Sequence, residues 1–148
     1  MELLKLIALD QEDLAVLSAH TQDAIVKVAD VIWRPREGRL VIGLNRFDWE
    51  AAVADSPQYQ RRRAALRFDR VTAFKCRSVN PVDRDVVLNL LAIEFVENDP
   101  PAGVITLTFS GGAALRLDVE CLEAELADLG PAWATAARPA HEDKTQLA

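Results

Sequence analysis

The side chains best suited to chemistry in this chain are arginines gathered around one predicted turn. Arg34, Arg36 and Arg39 lie within the segment RPREGR, and Arg46 follows in the next predicted strand. A guanidinium presents a fork of N–H donors that matches a carboxylate or a phosphate group. The pattern predicts either a solvated turn or a site for an anionic small molecule at an arginine-rich barrel mouth.

A second basic stretch covers residues 61–77, where seven basic residues accompany a single acid, Asp69. The even-numbered residues from 64 to 68 are apolar, which predicts a strand with a basic outer face. Such a face would steer an acidic partner, or it would pair across strands with acidic residues of the same chain. Arg62, Arg63 and Arg67 are the candidate contact residues.

Between these stretches, the segment NRFDWE alternates aromatic and charged residues. Phe47 and Trp49 share strand parity and are predicted to reach the core, with Arg46, Asp48 and Glu50 facing outward. An exposed Trp49 beside an arginine would instead indicate a contact surface. The Asp48 and Glu50 carboxylates could act together with Arg46 in an enzyme. Any solvated strand face, however, shows the same two-residue spacing of charges.

Other catalytic residue types are scarce. His20 and His141 are the only histidines, and neither has a readable acid–base or metal-ligand companion. Cys76 and Cys121 lack CxxC spacing and are predicted to be buried thiols in a reducing compartment. We therefore expect a protein without catalytic residues, metal or cofactor.

Composition favours a small cytoplasmic protein. Half of the 148 residues are apolar, which suits one domain over residues 1–137, followed by a flexible tail over 138–148. The net charge of −6 disfavours nucleic acid as a partner. No signal peptide is evident and no apolar run reaches transmembrane length, so we expect no membrane insertion.

The remaining pattern predicts mainly antiparallel strands. Asp10, with Asp13 three residues later, predicts the start of an N-terminal helix that ends near Thr21. A bend is predicted near residues 69–70, between two strands. The other predicted strands cover residues 3–9, 23–33, 39–47 and 86–96, and the last of these is the most apolar and is predicted to be central.

The segment over residues 103–130 is predicted to close the fold. A hairpin turns at Gly111 and Gly112. Asp118 is predicted to cap a helix that ends at Gly130. The apolar stripe of that helix would seal the core, and its residues are Val119, Leu122, Leu126 and Leu129.

Together these elements predict an α+β, mostly antiparallel fold: about seven strands in a meander, curled into a barrel or orthogonal sandwich, with a helix at each end. VITLTFSGGAALRLDVECLEAELADL resembles the last two strands and capping helix of pleckstrin-homology-like domains. Many of those domains carry a tryptophan within the closing helix, whereas Trp133 lies beyond it.

A closer resemblance covers nearly the whole chain. The segments LKLIALDQEDLAVLSAHTQDA, LNRFDWE, RRRAALRFDRV and GGAALRLDVECLEAELADLGPAWAT are similar to members of the uncharacterised DUF2948 family of alphaproteobacteria. The resemblance implies a small cytoplasmic bacterial protein and carries no established activity.

The functional expectation is a non-catalytic binding or adaptor module. Its partner would be a protein or acidic peptide, met by the basic strand face or by an exposed sheet edge. The alternative is the anionic small molecule at the arginine-rich mouth. Open sheet edges also predict that two copies could form a homodimer.

Overall fold

The sheet is built around two neighbouring nine-residue strands, β4 (Arg39–Phe47) and β5 (Gln60–Phe68). They pair antiparallel from Leu40 opposite Phe68 to Phe47 opposite Arg61. The even-numbered apolar residues of both strands are buried, as period-two alternation requires. The strand predicted over residues 39–47 is confirmed.

The computed structural model describes residues 3–52, 59–130 and 133–134. Within them are eleven strands, two α-helices, the second a single short turn, and three short 3-10 helices. The remaining bounds are β1 Lys5–Ala8, α1 Gln11–Thr21, β2 Ile25–Lys27, β3 Val31–Arg34, α2 Trp49–Ala52, β6 Val71–Arg77, β7 Val87–Glu97, β8 Gly103–Phe109, β9 Ala114–Val119, β10 Ala124–Asp128 and β11 Trp133–Ala134.

The strands do not follow one another as a meander. Their order is β1-β10-β5-β4-β2-β7-β8-β9-β6, with β3 beside β4 and β11 beside β5, and each pairing is antiparallel. This path ends at β1 and β6, so the sheet is not closed into a barrel. The mostly antiparallel class and the central position of β7 are confirmed, whereas the seven-stranded meander and the barrel are wrong.

The predicted C-terminal helix is also wrong, because this segment forms β10. Every second residue from 122 to 128 is buried, as the alternation of a strand requires. These residues are Leu122, Ala124, Leu126 and Asp128. β10 lies between β1 and β5 and bonds to both. Leu129, which the helical stripe would bury, is 60% exposed. Asp118 is not a helix cap, since it lies within β9.

Of the two longer helices predicted, only the N-terminal one forms. The Asp10 side chain accepts a 2.8 Å hydrogen bond from the Asp13 backbone N–H, which caps α1 as expected. Leu14 and Leu17 of this helix are buried in the core. The β8–β9 hairpin is confirmed as well, and Gly111 turns it with a φ of +76°.

Other local predictions have mixed outcomes. The bend between β5 and β6 is confirmed, and Arg70 adopts a φ of +60° there. Cys76 is exposed and Cys121 is partly exposed, so their predicted burial is wrong. The tail predicted over residues 138–148, which includes His141, lies outside the described residues. Among those described, no helix is long and apolar enough to cross a membrane.

Candidate functional site

Arg46 is held inside the protein by an acidic partner. It shares strand parity with buried Leu44, so its side chain faces inward, and the prediction that it faces outward is wrong. Its Nε and Nη2 donate to the two carboxylate oxygens of Asp128 at 2.8 and 2.9 Å. The two side chains are 3% and 0% exposed. Arg46 is therefore a structural ion-pair partner with no surface for a ligand.

The neighbouring candidate arginine, Arg62, is paired in the same way. It lies opposite Arg46 in the β4–β5 ladder, and its Nε donates to Asp48 Oδ2 at 2.8 Å. Asp48 is buried rather than outward-facing, so that prediction is wrong too. The Asp48 carboxylate thus accepts from a guanidinium, which does not favour its use as a general base.

Arg63 and Trp49 are held by other contacts within the fold. Arg63 Nη2 lies 3.1 Å from Asp30 Oδ2, and its Nη1 donates to Asn45 Oδ1. Trp49 is half-buried, and its Nε1 donates to the Gln22 carbonyl at 3.2 Å. Hydrogen bonds within the fold therefore already use both side chains.

Arg39 and Arg67 meet on the outer face of the sheet. Both donate to the Asp69 carboxylate, at 2.7 and 3.0 Å, and Arg67 also reaches Glu125 at 3.2 Å. The hydrogen bond and charge of Asp69 raise the pKa of Arg39 above its ordinary value. The basic strand face is thus largely paired within the chain, partly with the acidic second half.

Two open depressions of about 410 and 750 Å³ lie around this network. Besides Arg39 and Arg67, the lining of the smaller depression includes Arg34, and that of the larger one includes Arg36. Both linings also contain acids. Taken together they hold five arginines and five carboxylates, so their charges balance. The lining residues that carry charge are Arg34, Arg36, Arg39, Arg67, Arg70, Glu37, Asp69, Glu120, Glu123 and Glu125.

A different set of cations is left unpaired. Eight cations are exposed and have no ion pair among the described residues. Three of them, Lys5, Lys27 and Arg84, lie in β1, in β2 and in the loop before β7. The other five belong to two regions, the end of β3 with the turn after it, and β6 with the bend before it. The residues are Arg34, Arg36, Arg70, Lys75 and Arg77.

These two regions lie next to each other, because β3, which pairs with β4 off the main path, comes close to β6, the last strand of that path. The Trp33 and Phe74 rings meet with centroids 5.7 Å apart, and the Val71 N–H donates to the Gly38 carbonyl at 2.9 Å. Among the described residues, β3 pairs only with β4, and β6 only with β9. We call the space between β3 and β6 the β3–β6 opening.

Sequence reasoning named Arg34 and Arg36 as site residues but not Lys75 and Arg77, which belong to the basic stretch over residues 61–77. It missed the opening because it predicted a seven-stranded meander curled into a barrel or an orthogonal sandwich. The described residues contain no group of three or more His, Cys, Asp or Glu side chains that could hold a metal ion. Chemically, the arrangement offers exposed cations beside an unpaired strand edge.

Comparison with known proteins gives one result. No curated protein and no solved structure matches the chain. A family model described as a protein of unknown function, DUF2948, matches residues 4–141. The match covers most of the 148 residues, and the chain therefore belongs to the DUF2948 family.

Proposed function

We propose that this protein is a non-catalytic binding module that contacts a partner protein through an acidic peptide segment. The observation that carries the proposal is the division of its cations. Five of the six arginines in β4 and β5 pair with internal carboxylates, whereas five of the eight exposed cations without an ion pair among the described residues lie around the β3–β6 opening. Unpaired exposed charge is the kind that attracts a partner over a distance.

The overall charge makes this local patch more selective. The chain carries a net charge of −6, so an acidic partner is repelled by the molecule as a whole. It approaches favourably only where cations are locally in excess, near Lys75 and Arg77. Electrostatic complementarity of this kind mainly sets the orientation and rate of association.

A selection from short random peptides, read out by sequencing, tests the proposal. We expect enrichment of acidic peptides, and their binding should weaken at high salt because exposed charges are screened. Lys75→Glu/Arg77→Glu should lose the enrichment. Lys5→Glu/Lys27→Glu is the matched control, since it changes net charge equally at exposed residues of other strands. Absence of acidic enrichment with the unaltered protein would refute the proposal.

An anionic small molecule in the smaller depression is the second candidate. Arg34 is exposed there, beside Arg39 and Arg67. Arg46, one of the arginines predicted for this site, is buried elsewhere and takes no part. A thermal-shift screen of phosphates and carboxylates tests this candidate, because a ligand at ~100 times its Kd adds ~2.7 kcal/mol to the free energy of unfolding. The acids Glu37 and Glu125 in the same lining weigh against it.

A further inference from the structure

Within the part of the chain that the structure describes, most of the β6 edge at the β3–β6 opening has no strand partner. Beyond the hydrogen bond from Val71 to Gly38, the described main-chain hydrogen bonds of β6 run through one side only, to β9. In an antiparallel edge strand every second residue points its N–H and C=O away from the sheet. The edge from Thr72 to Arg77 therefore presents a row of main-chain donors and acceptors that no described strand pairs with.

The two faces of this edge differ in chemistry. Lys75 and Arg77 are exposed on the outer face, where Lys75 lies opposite Arg116 of β9. Phe74 and Cys76 belong to the inner face, because residues one apart on a strand point in opposite directions. The edge thus combines a basic outer side with an apolar inner side.

The inner side is also incompletely covered. Cys76 lies opposite Leu115, which is 1% exposed, yet Cys76 itself is exposed. Trp33 and Phe74 are only partly buried against the core. Apolar side chains from a further strand would cover this part of the inner face.

We propose that an extended peptide adds to β6 as a strand in the β3–β6 opening, with acidic residues alternating with apolar ones. The acidic side chains lie opposite Lys75 and Arg77, where cross-strand pairs of opposite charge are stabilising. The apolar side chains lie over Cys76 and toward the Trp33–Phe74 pair. The inference rests on the proposed function and specifies its site, its binding mode and its sequence pattern.

A second copy of the chain is the competing occupant of this edge. Two antiparallel β6 strands would place Lys75 and Arg77 of one copy near the same cations of the other, and like charges opposite each other are destabilising. An acidic peptide removes this repulsion. The charges therefore favour a peptide of opposite charge over self-association.

The probe is a synthetic peptide in which valine and glutamate alternate, labelled with a fluorophore and long enough to span β6. Fluorescence anisotropy measures its affinity for the full-length protein. A peptide of alternating valine and lysine tests charge, and a peptide of the same composition in two blocks tests the alternation. We expect both control peptides to bind at least about tenfold more weakly.

A third control peptide is N-methylated at every second residue, which removes main-chain donors from one edge and keeps the side chains. Its affinity should also fall by about tenfold or more. Equal binding of the methylated peptide would overturn strand addition and leave acidic-peptide binding intact. Failure of every acidic peptide, including those from the random selection, would overturn both proposals.

Protection of a thiol locates the peptide. At saturating peptide, alkylation of Cys76 should slow by about tenfold while that of Cys121 stays unchanged, as followed by mass spectrometry. Lys75→Glu/Arg77→Glu should abolish binding and protection, and Lys5→Glu/Lys27→Glu should leave both intact. Binding without protection of Cys76 would place the peptide elsewhere and overturn the inference.

The quaternary state completes the test. Analytical ultracentrifugation of the free protein should show a monomer, and alkylation at alkaline pH should show that Cys76 of this monomer is accessible. A dimer whose Cys76 is protected without peptide would show that a second copy occupies the edge, and this result would overturn the inference. Circular dichroism of each variant confirms that losses of binding do not come from unfolding.

Discussion

Arg46 and Asp128 join two strands that are not neighbours in the sheet. Their paired hydrogen bonds link β4 to β10, and β5 lies between those strands. The β5 residue opposite Asp128 is Ala64. Its small side chain leaves room on the inner face of the sheet for the two longer side chains to meet. Asp128 also accepts the Leu4 backbone N–H at 2.8 Å, so one carboxylate holds three separate parts of the chain.

Removing one partner of this buried pair should be costly. Asp128→Ala leaves the Arg46 guanidinium charged and unpaired, and we expect the free energy of unfolding to fall by about 3–5 kcal/mol. Urea denaturation measures the change. Arg46→Met/Asp128→Leu should recover most of the loss, because apolar side chains need no partner. A loss below about 1 kcal/mol for Asp128→Ala would contradict the buried pair.

An exposed pair provides the matched comparison. Arg116 Nη2 lies 3.3 Å from Asp118 Oδ1, with side chains 55% and 34% exposed. Asp118→Asn should change the free energy of unfolding by less than about 1 kcal/mol, because solvent and salt screen such pairs. If this change matched that of Asp128→Ala, burial would not be the cause of the difference.

Aspartate substitutions distinguish strand β10 from the helix that the sequence pattern also allows. Leu126→Asp should prevent folding, because it places an unpaired charge in the core. Leu129→Asp should change the free energy of unfolding by less than about 0.5 kcal/mol, since Leu129 is exposed. Circular dichroism and thermal melting measure both. Equal damage from the two substitutions would support the helix and refute the strand.

Gly103 is predicted to be intolerant of a side chain. A Cβ there would lie 2.5 Å from the Phe95 ring and from the Val96 carbonyl oxygen, and neither can move easily within β7. Gly103→Ala should lower the free energy of unfolding by about 1–3 kcal/mol. Gly130→Ala is the control, because no atom of the described residues lies within 4 Å of its Cβ position, and it should leave the urea midpoint almost unchanged.

The thiol of Cys76 should react slowly at neutral pH. Cys76 is exposed as a residue, but neighbouring atoms partly desolvate its thiol and so raise its pKa above the ordinary cysteine value, because desolvation disfavours the thiolate. The thiolate is the reactive form, so the alkylation rate should rise with pH and reach half its maximum at a higher pH than that of a short cysteine peptide. Mass spectrometry of the modified segment gives the profile. A midpoint at or below that of the peptide would contradict the shift.

Much of the local structure follows from the sequence. The alternation in β4, the glycine turn between β8 and β9, and the cap at Asp10 each have one physical solution, and each was predicted. The β10 segment, in contrast, has two physical solutions. Leu122 and Leu126 are four apart, which suits one face of a helix as well as one face of a strand. Docking between β1 and β5 selects the strand, and this tertiary contact lies outside the segment's own sequence.

The candidate site was harder to predict for a related reason. Arg46 continues the inward parity of Leu44, so the sequence held a signal for its burial. Its partner Asp128 was assigned to a helix, however, and no inward acid was available to pair with it. The β3–β6 opening depends on which strands fail to pair, and the pattern of any single segment does not contain that information.

The pairing of β1 with β10 has a consequence for synthesis of the chain. Lys5 lies opposite Ala127, and among the described residues β1 has no other strand partner. At roughly 5–20 residues per second, a ribosome needs on the order of ten seconds to make the chain between them. During that time β1 has no strand partner and is accessible to chaperones and to other nascent chains. It can pair only after β10 has been synthesised.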